Sequence, residues 1–119
     1  MIKVLLVEDS ELVRNRIRRS LSEIGNIEIV GEAVNAKDAI KLGSQYKPHV
    51  MILDIKLEGD YNGFYALEEL KVIHPSLKTI VLTNSQEKQY KTKAFQLGAD
   101  YFFDKSIEFD NVLKLFKRA

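Results

Sequence analysis

No cysteine occurs anywhere in the chain, which removes disulfides, thiolate zinc sites and cysteine nucleophiles together. A surplus of one charge is missing too. The 18 lysines and arginines face 17 aspartates and glutamates, a formal net charge of +1. Such a balance gives no reason to expect nucleic acid or an anionic membrane as a partner. Long hydrophobic runs are also absent. In Met1-Ile2-Lys3-Val4-Leu5-Leu6-Val7-Glu8-Asp9 the apolar stretch before the two acids is too short for a signal peptide or a membrane span. The expected location is therefore cytoplasmic, a reducing compartment that suits a chain without thiols. Low-complexity segments, linkers and residue-level repeats are lacking as well.

What is present fits one domain over residues 1–119. Apolar residues make up 45%, enough for a core, and charged residues 29%, enough to solvate a surface. Short aliphatic runs alternate with longer stretches of helical period. The strand candidates are Lys3 to Val7, Ile27 to Gly31, Val50 to Leu53, Thr79 to Leu82 and Tyr101 to Phe103. Val4-Leu5-Leu6-Val7, Val50-Met51-Ile52-Leu53 and Ile80-Val81-Leu82 are continuously apolar, as in parallel strands covered on both faces. The run at Ile27 contains Glu28 and reads as an edge strand.

Helix candidates fill the gaps. Ser10 is placed to cap a first helix with Val13, Ile17, Leu21 and Ile24 on one face, stopped at Gly25. Asn35 with Asp38 resembles a capping box for a second, with Ala36, Ala39, Ile40 and Gly43 as its buried stripe. Phe64, Leu67, Leu70 and Ile73 mark a third, ended near Pro75. Residues from about Lys88 to Leu97 make a fourth, with Gly98 at its end. Phe109, Val112, Leu113 and Phe116 make a fifth, leaving Leu115 off the stripe and expected at the surface. Five strands alternating with five helices imply an α/β three-layer doubly wound sandwich, whose ligand site lies beyond the carboxyl ends of its strands.

Those ends carry chemistry. The first strand leads into Glu8 and Asp9, the third into Asp54, the fourth into Thr83 and Asn84, the fifth into Lys105. Three carboxylates brought together repel one another and call for a cation. Mg²⁺ suits all-oxygen ligands and leaves coordination positions for substrate. A carboxylate oxygen can then attack a phosphoryl group whose charge the ion and Lys105 neutralise, with Thr83 donating a hydrogen bond. Taken singly, each residue has a plainer reading: an acid as a helix cap, Thr83 as a turn residue, Lys105 as a surface lysine. Their joint placement at four strand ends favours the site.

The chain resembles bacterial response-regulator receiver domains, the chemotaxis-type, flavodoxin-like switches of two-component systems, over essentially its whole length. The matching stretches are Val4-Leu5-Leu6-Val7-Glu8-Asp9-Ser10, Met51-Ile52-Leu53-Asp54-Ile55, Ile80-Val81-Leu82-Thr83 and Gly98-Ala99-Asp100-Tyr101-Phe102-Phe103-Asp104-Lys105. The resemblance implies a five-stranded parallel sheet of order 2-1-3-4-5. It implies Mg²⁺-dependent transfer of a phosphoryl group to Asp54 from a sensor histidine kinase or a phosphotransfer protein of a phosphorelay. Asp9 would bind the metal directly, Glu8 through water, and the backbone carbonyl of Lys56 would be a further ligand beside Asp54. Thr83 takes the switch-hydroxyl position, Lys105 that of the phosphate-binding lysine, and Phe102 that of the switch aromatic, whose ring turns inward on phosphorylation. Such a domain is not a stand-alone enzyme, although it catalyses its own phosphorylation and autodephosphorylation. Output is expected through the face of the fourth helix, fifth strand and fifth helix, to a homodimer partner or an effector protein.

Four positions depart from the family pattern. Ser106 stands where proline usually follows the lysine, which leaves the isomer of the Lys105–Ser106 bond open. The loop Leu57-Glu58-Gly59-Asp60-Tyr61-Asn62-Gly63 lacks the usual proline and has one extra residue. Asn84 is larger than the usual small residue, and Phe102 replaces the common tyrosine.

Rival readings fare worse. A flavodoxin-like electron carrier needs a Ser/Thr/Gly-rich loop after the first strand, where Glu8 and Asp9 would repel a flavin phosphate. A phosphatase of the aspartyl-nucleophile class needs a second acid two residues past the nucleophile, where Lys56 stands. A receiver fold that has lost phosphorylation remains a rival, against which all the acceptor-site residues count. Arg14, Arg16, Arg18 and Arg19 could suggest nucleic acid, but Glu11 and Glu23 lie among them and no helix-turn-helix follows, so binding of nucleic acid by this domain itself is not expected.

Overall fold

The continuously apolar runs are the inner strands of one sheet. In the computed structural model, which describes residues 1–57, 59, 62–84 and 87–117, five strands pair in parallel. They are β1 (Ile2–Val7), β2 (Ile27–Ala33), β3 (Val50–Leu53), β4 (Lys78–Thr83) and β5 (Tyr101–Asp104). Their order is β2-β1-β3-β4-β5, as expected. Between them run α1 (Glu11–Ile24), α2 (Ala36–Tyr46), α3 (Gly63–Ile73) and α4 (Lys88–Gln96), and α5 (Phe109–Lys117) follows β5.

Alternation along the strands divides the core in two. Leu5, Val7, Met51, Leu53 and Val81 face one side and pack with Ala36 and Ala39 of α2, Phe64, Leu67 and Leu70 of α3 and Ala94 of α4. Val4, Leu6, Ile52, Ile80 and Leu82 face the other, against Ile17 and Leu21 of α1 and Phe109, Val112 and Phe116 of α5. The aliphatic residues of the inner strands therefore find apolar partners on one face or the other, which is why they read as hydrophobic runs.

Caps fix where helices begin. Ser10 Oγ accepts from the Val13 N–H at 3.3 Å, and Asn35 Oδ1 accepts from the Asp38 N–H at 2.8 Å. Asn62 Oδ1 accepts from the Phe64 and Tyr65 N–H groups at 3.0 and 3.4 Å. Gly98, at φ 106, turns the chain out of α4.

Three expectations need correction. β2 continues to Ala33, because a register shift opposite Val4/Leu5 lets it carry on past Val30. Ile73 is half exposed at the end of α3. Nine residues turn a helix through about 900°, half a turn off the face that Phe64 buries. Leu115 is partly buried: it packs against the α1/α5 side of the core and lines a shallow groove with Ile2, Val50, Ile80 and Tyr101. Of the loop after Asp54, Glu58, Asp60 and Tyr61 lie outside the described residues, and the extra residue expected there falls among them.

Candidate functional site

Parallel pairing carries the strand ends to one edge. Val7 pairs with Leu53, so Glu8 and Asp54 emerge side by side. The backbone holds them there: the Asp54 N–H donates to Val7 O at 3.0 Å, and the Glu8 N–H donates to Ala33 O at 3.0 Å. Across the sheet Thr83 pairs with Asp104, and the Lys105 N–H donates to Thr83 O at 3.0 Å. Lys105 thus starts one residue beyond the β4–β5 ladder and reaches back over it.

Its ammonium makes two short charge-assisted contacts, 2.6 Å to Asp54 Oδ2 and 2.7 Å to Glu8 Oε1. Glu8 and Asp54 are both buried, Asp9 is half-buried, and carboxylate oxygens of the three lie within 4.8 Å of one another. The remaining oxygens are partly committed. Glu8 Oε2 accepts from the Ser10 N–H at 2.9 Å, and Asp54 Oδ1 accepts from the Lys56 N–H at 3.3 Å.

Burial pushes the Glu8 carboxyl above its ordinary value, and the nearby Asp54 charge adds to this. The hydrogen bonds from Lys105 and from the Ser10 N–H offset it only in part. For Lys105, burial alone would lower the ammonium's value, but its hydrogen bonds to Asp54 and Glu8 outweigh that and raise it. Three ionised carboxylates and one ammonium leave the pocket with two net negative charges. A divalent cation with all-oxygen preference matches that charge and that donor set. The acidic cluster fits Mg²⁺, the ion that receiver domains bind at an acidic pocket.

The structure therefore brings Glu8, Asp9, Asp54 and Lys105 together. Thr83 lies fully buried at the end of β4. Phe102 is turned inward. Its side chain is only 7% exposed, within the α4-side core, the inward of the two positions expected of a switch aromatic. The Lys105–Ser106 bond is trans, as is every peptide among the described residues. An aspartate turn follows it: Asp104 Oδ1 accepts from the Ser106 N–H at 2.7 Å and from the Ile107 N–H at 3.3 Å.

Two supports of the site were not read from the sequence. Arg14 Nη1 donates to the Glu8 carbonyl at 2.8 Å, which ties the metal-side loop to α1. Gly63 packs its backbone onto the segment after Asp54, with its N–H 2.6 Å from Ile55 O. A Cβ there would lie 2.8 Å from Ile55 Cα and press into the Asp54 carbonyl. The pair Asn62-Gly63 opening an apolar helix was the available signal.

The family model of the response regulator receiver domain matches residues 4–117. The chain belongs to that family. Response regulator GacA of Pseudomonas aeruginosa is 33% identical over 119 residues, which cover 100% of this chain and 55% of that protein. Response regulator protein VraR of Staphylococcus epidermidis is 36% identical over 105 residues, 88% of this chain and 50% of that protein. The receiver domain also superposes on a LuxR-family DNA-binding response regulator from Staphylococcus aureus, with a TM-score of 0.89 and 26% identity, covering 99% of this chain and 98% of that one. It spans about half the length of the curated relatives it matches. As a response-regulator receiver of a two-component system, it is not an enzyme in the ordinary sense. No described helix is long and apolar enough to cross a membrane.

Proposed function

We propose that residues 1–119 act as a cytoplasmic, Mg²⁺-dependent phosphoacceptor. Asp54 takes a phosphoryl group from the phosphohistidine of a sensor kinase or phosphotransfer protein. The observation that carries this reading is the Lys105 ammonium set between Asp54 and Glu8 in a buried, doubly negative pocket. In the transfer, an Asp54 carboxylate oxygen bonds to phosphorus as the P–N bond to the donor imidazole breaks, its electron pair returning to nitrogen.

Asp9, Glu8, Asp54 and the Lys56 carbonyl would hold Mg²⁺, which when bound offsets charge on the phosphoryl oxygens. Lys105 needs no long movement to reach those oxygens, because it already touches Asp54. In its present place it compensates the carboxylates. After transfer it pairs with the phosphoryl group instead, and the Thr83 hydroxyl supplies a second donor. Hydrolysis of the acyl phosphate at the same site resets the switch.

The conformational output on this reading runs through Thr83 and Phe102, whose ring stands in its inward position here. It reaches a homodimer partner or effector through the α4, β5 and α5 face. The half-length match to larger regulators, one structural neighbour being a DNA-binding protein, supports an effector elsewhere in the protein. Nucleic-acid binding by this domain itself is not part of the reading.

Asp54→Asn tests it, since an amide cannot serve as the nucleophile. With acetyl phosphate and Mg²⁺ the parent should be labelled and the variant should not. Equal labelling of both would refute the assignment.

A further inference from the structure

Glu8 and Asp9 sit in a loop whose backbone is held from β2, a strand that contributes no side chain to the acidic pocket. The Glu8 N–H donates to Ala33 O at 3.0 Å. The Glu8 carbonyl accepts from Arg14 Nη1 at 2.8 Å, and Arg14 Nε lies 3.5 Å from the carboxylate of Glu32, the residue before Ala33. Both backbone groups of Glu8 are thus anchored to the end of β2, one directly and one through a guanidinium.

That guanidinium is itself well fixed. The Arg14 side chain is 16% exposed, and its backbone N–H donates to Ser10 O at 2.9 Å in the first turn of α1. Glu32 is fastened in turn by the fork of Arg18, at 2.8 and 2.6 Å, whose remaining nitrogen reaches Asn15 Oδ1 at 2.5 Å. A planar fork with several N–H groups can serve a carbonyl and a carboxylate together. The carbonyl that Arg14 holds belongs to the Glu8–Asp9 peptide. A peptide is planar, so fixing that carbonyl fixes the plane that carries the Asp9 nitrogen and Cα.

We infer that Arg14, anchored by Glu32, is a positioning residue for the acidic pocket and raises its affinity for Mg²⁺. The inference rests on the Mg²⁺ site of the proposed function above. Arg14 acts through the Glu8–Asp9 peptide and not as a ligand, since a guanidinium is a donor only. The sign of the effect separates this role from simple electrostatics. A positive charge near a cation site opposes cation binding, so by charge alone Arg14 would weaken the site. As a brace it strengthens the site. It holds the loop so that the Glu8 and Asp9 carboxylates already stand within 4.8 Å of Asp54, and less ordering is left for the ion to impose.

The test is a calorimetric Mg²⁺ titration, with no phosphodonor present, of the parent, Arg14→Met, Glu32→Ala and the double variant. Arg14→Met should bind Mg²⁺ about tenfold more weakly, the low end for loss of a group that orients a metal ligand. Glu32→Ala should also bind more weakly, and the double variant should match Arg14→Met, because Glu32 acts through Arg14. Charge alone predicts tighter binding in Arg14→Met and near-parent binding in the double variant. Either result, or an unchanged affinity in Arg14→Met, overturns the brace. With acetyl phosphate, the Mg²⁺ concentration for half-maximal labelling of Arg14→Met should rise by the same factor while the rate at saturating Mg²⁺ stays at the parent's. A lower saturated rate at an unchanged half-maximal concentration overturns it too. If Arg14→Met does not fold, the parent decides. Its Arg14 guanidinium NMR signals should shift on Mg²⁺ addition with the midpoint of the Asp9 amide, and signals that stay in place overturn the brace. A parent that binds Mg²⁺ but takes no label overturns the phosphoacceptor reading alone. A parent that binds no Mg²⁺ overturns both.

Discussion

Glu8 shows how the site strains against its own fold. It is buried beside Asp54, and among the described residues Lys105 and the Ser10 N–H compensate it. The folded protein therefore holds a proton on Glu8 more tightly than the unfolded chain does, above the ordinary value of 4.5. The stabilisation Glu8 provides is present below 4.5 and is lost as pH rises through its folded-state value. Lys105, raised above 10.5, contributes evenly over that acidic window and does not distort it. Glu8→Gln removes the titration while its amide oxygen can still accept from the Ser10 N–H. In urea denaturation without divalent metal, the stability of this variant relative to the parent should rise with pH from about 4.5 and then level off. A difference that stays flat or falls would contradict the desolvated acid inferred here.

At the scale of elements, α3 must start where it does because Gly63 rests on the backbone after Asp54. Gly63→Ala would drive a methyl against Ile55 Cα and the Asp54 carbonyl. Overpacking of this kind costs about 1–3 kcal/mol. A urea midpoint lowered accordingly is expected, and an unchanged midpoint would show that the segment yields freely. A close backbone approach leaves no periodic signature, so beyond the Asn62-Gly63 pair nothing in the sequence marks this position. The inner strands were legible for the opposite reason, since burial on both faces removes polar residues from them. The strand read from the sequence as Ile27 to Gly31 runs on through Glu32. The Glu32 carboxylate is held by Arg18, at 2.8 and 2.6 Å, and lies 3.5 Å from Arg14, so a charged residue sits in an edge strand without cost to the core. The four arginines of α1 are explained in part by the same contacts.

In the whole molecule, parallel order turns residues 51 positions apart, Asp54 and Lys105, into neighbours. That convergence was legible because each group follows directly on a recognisable strand and the alternating pattern fixes the sheet. The inward position of Phe102 and the bond from Arg14 to the Glu8 carbonyl were not, since both depend on side-chain packing that no strand or helix period encodes. The sharpest question is which carboxylate carries the phosphoryl group. Borohydride reduces an acyl phosphate of aspartate to homoserine, marking the residue that held it. After treatment with acetyl phosphate and Mg²⁺, reduction followed by fragment mass analysis should find homoserine at Asp54 alone. Homoserine at Asp9, a reduced side chain at Glu8, or no reduced residue at all would contradict the account.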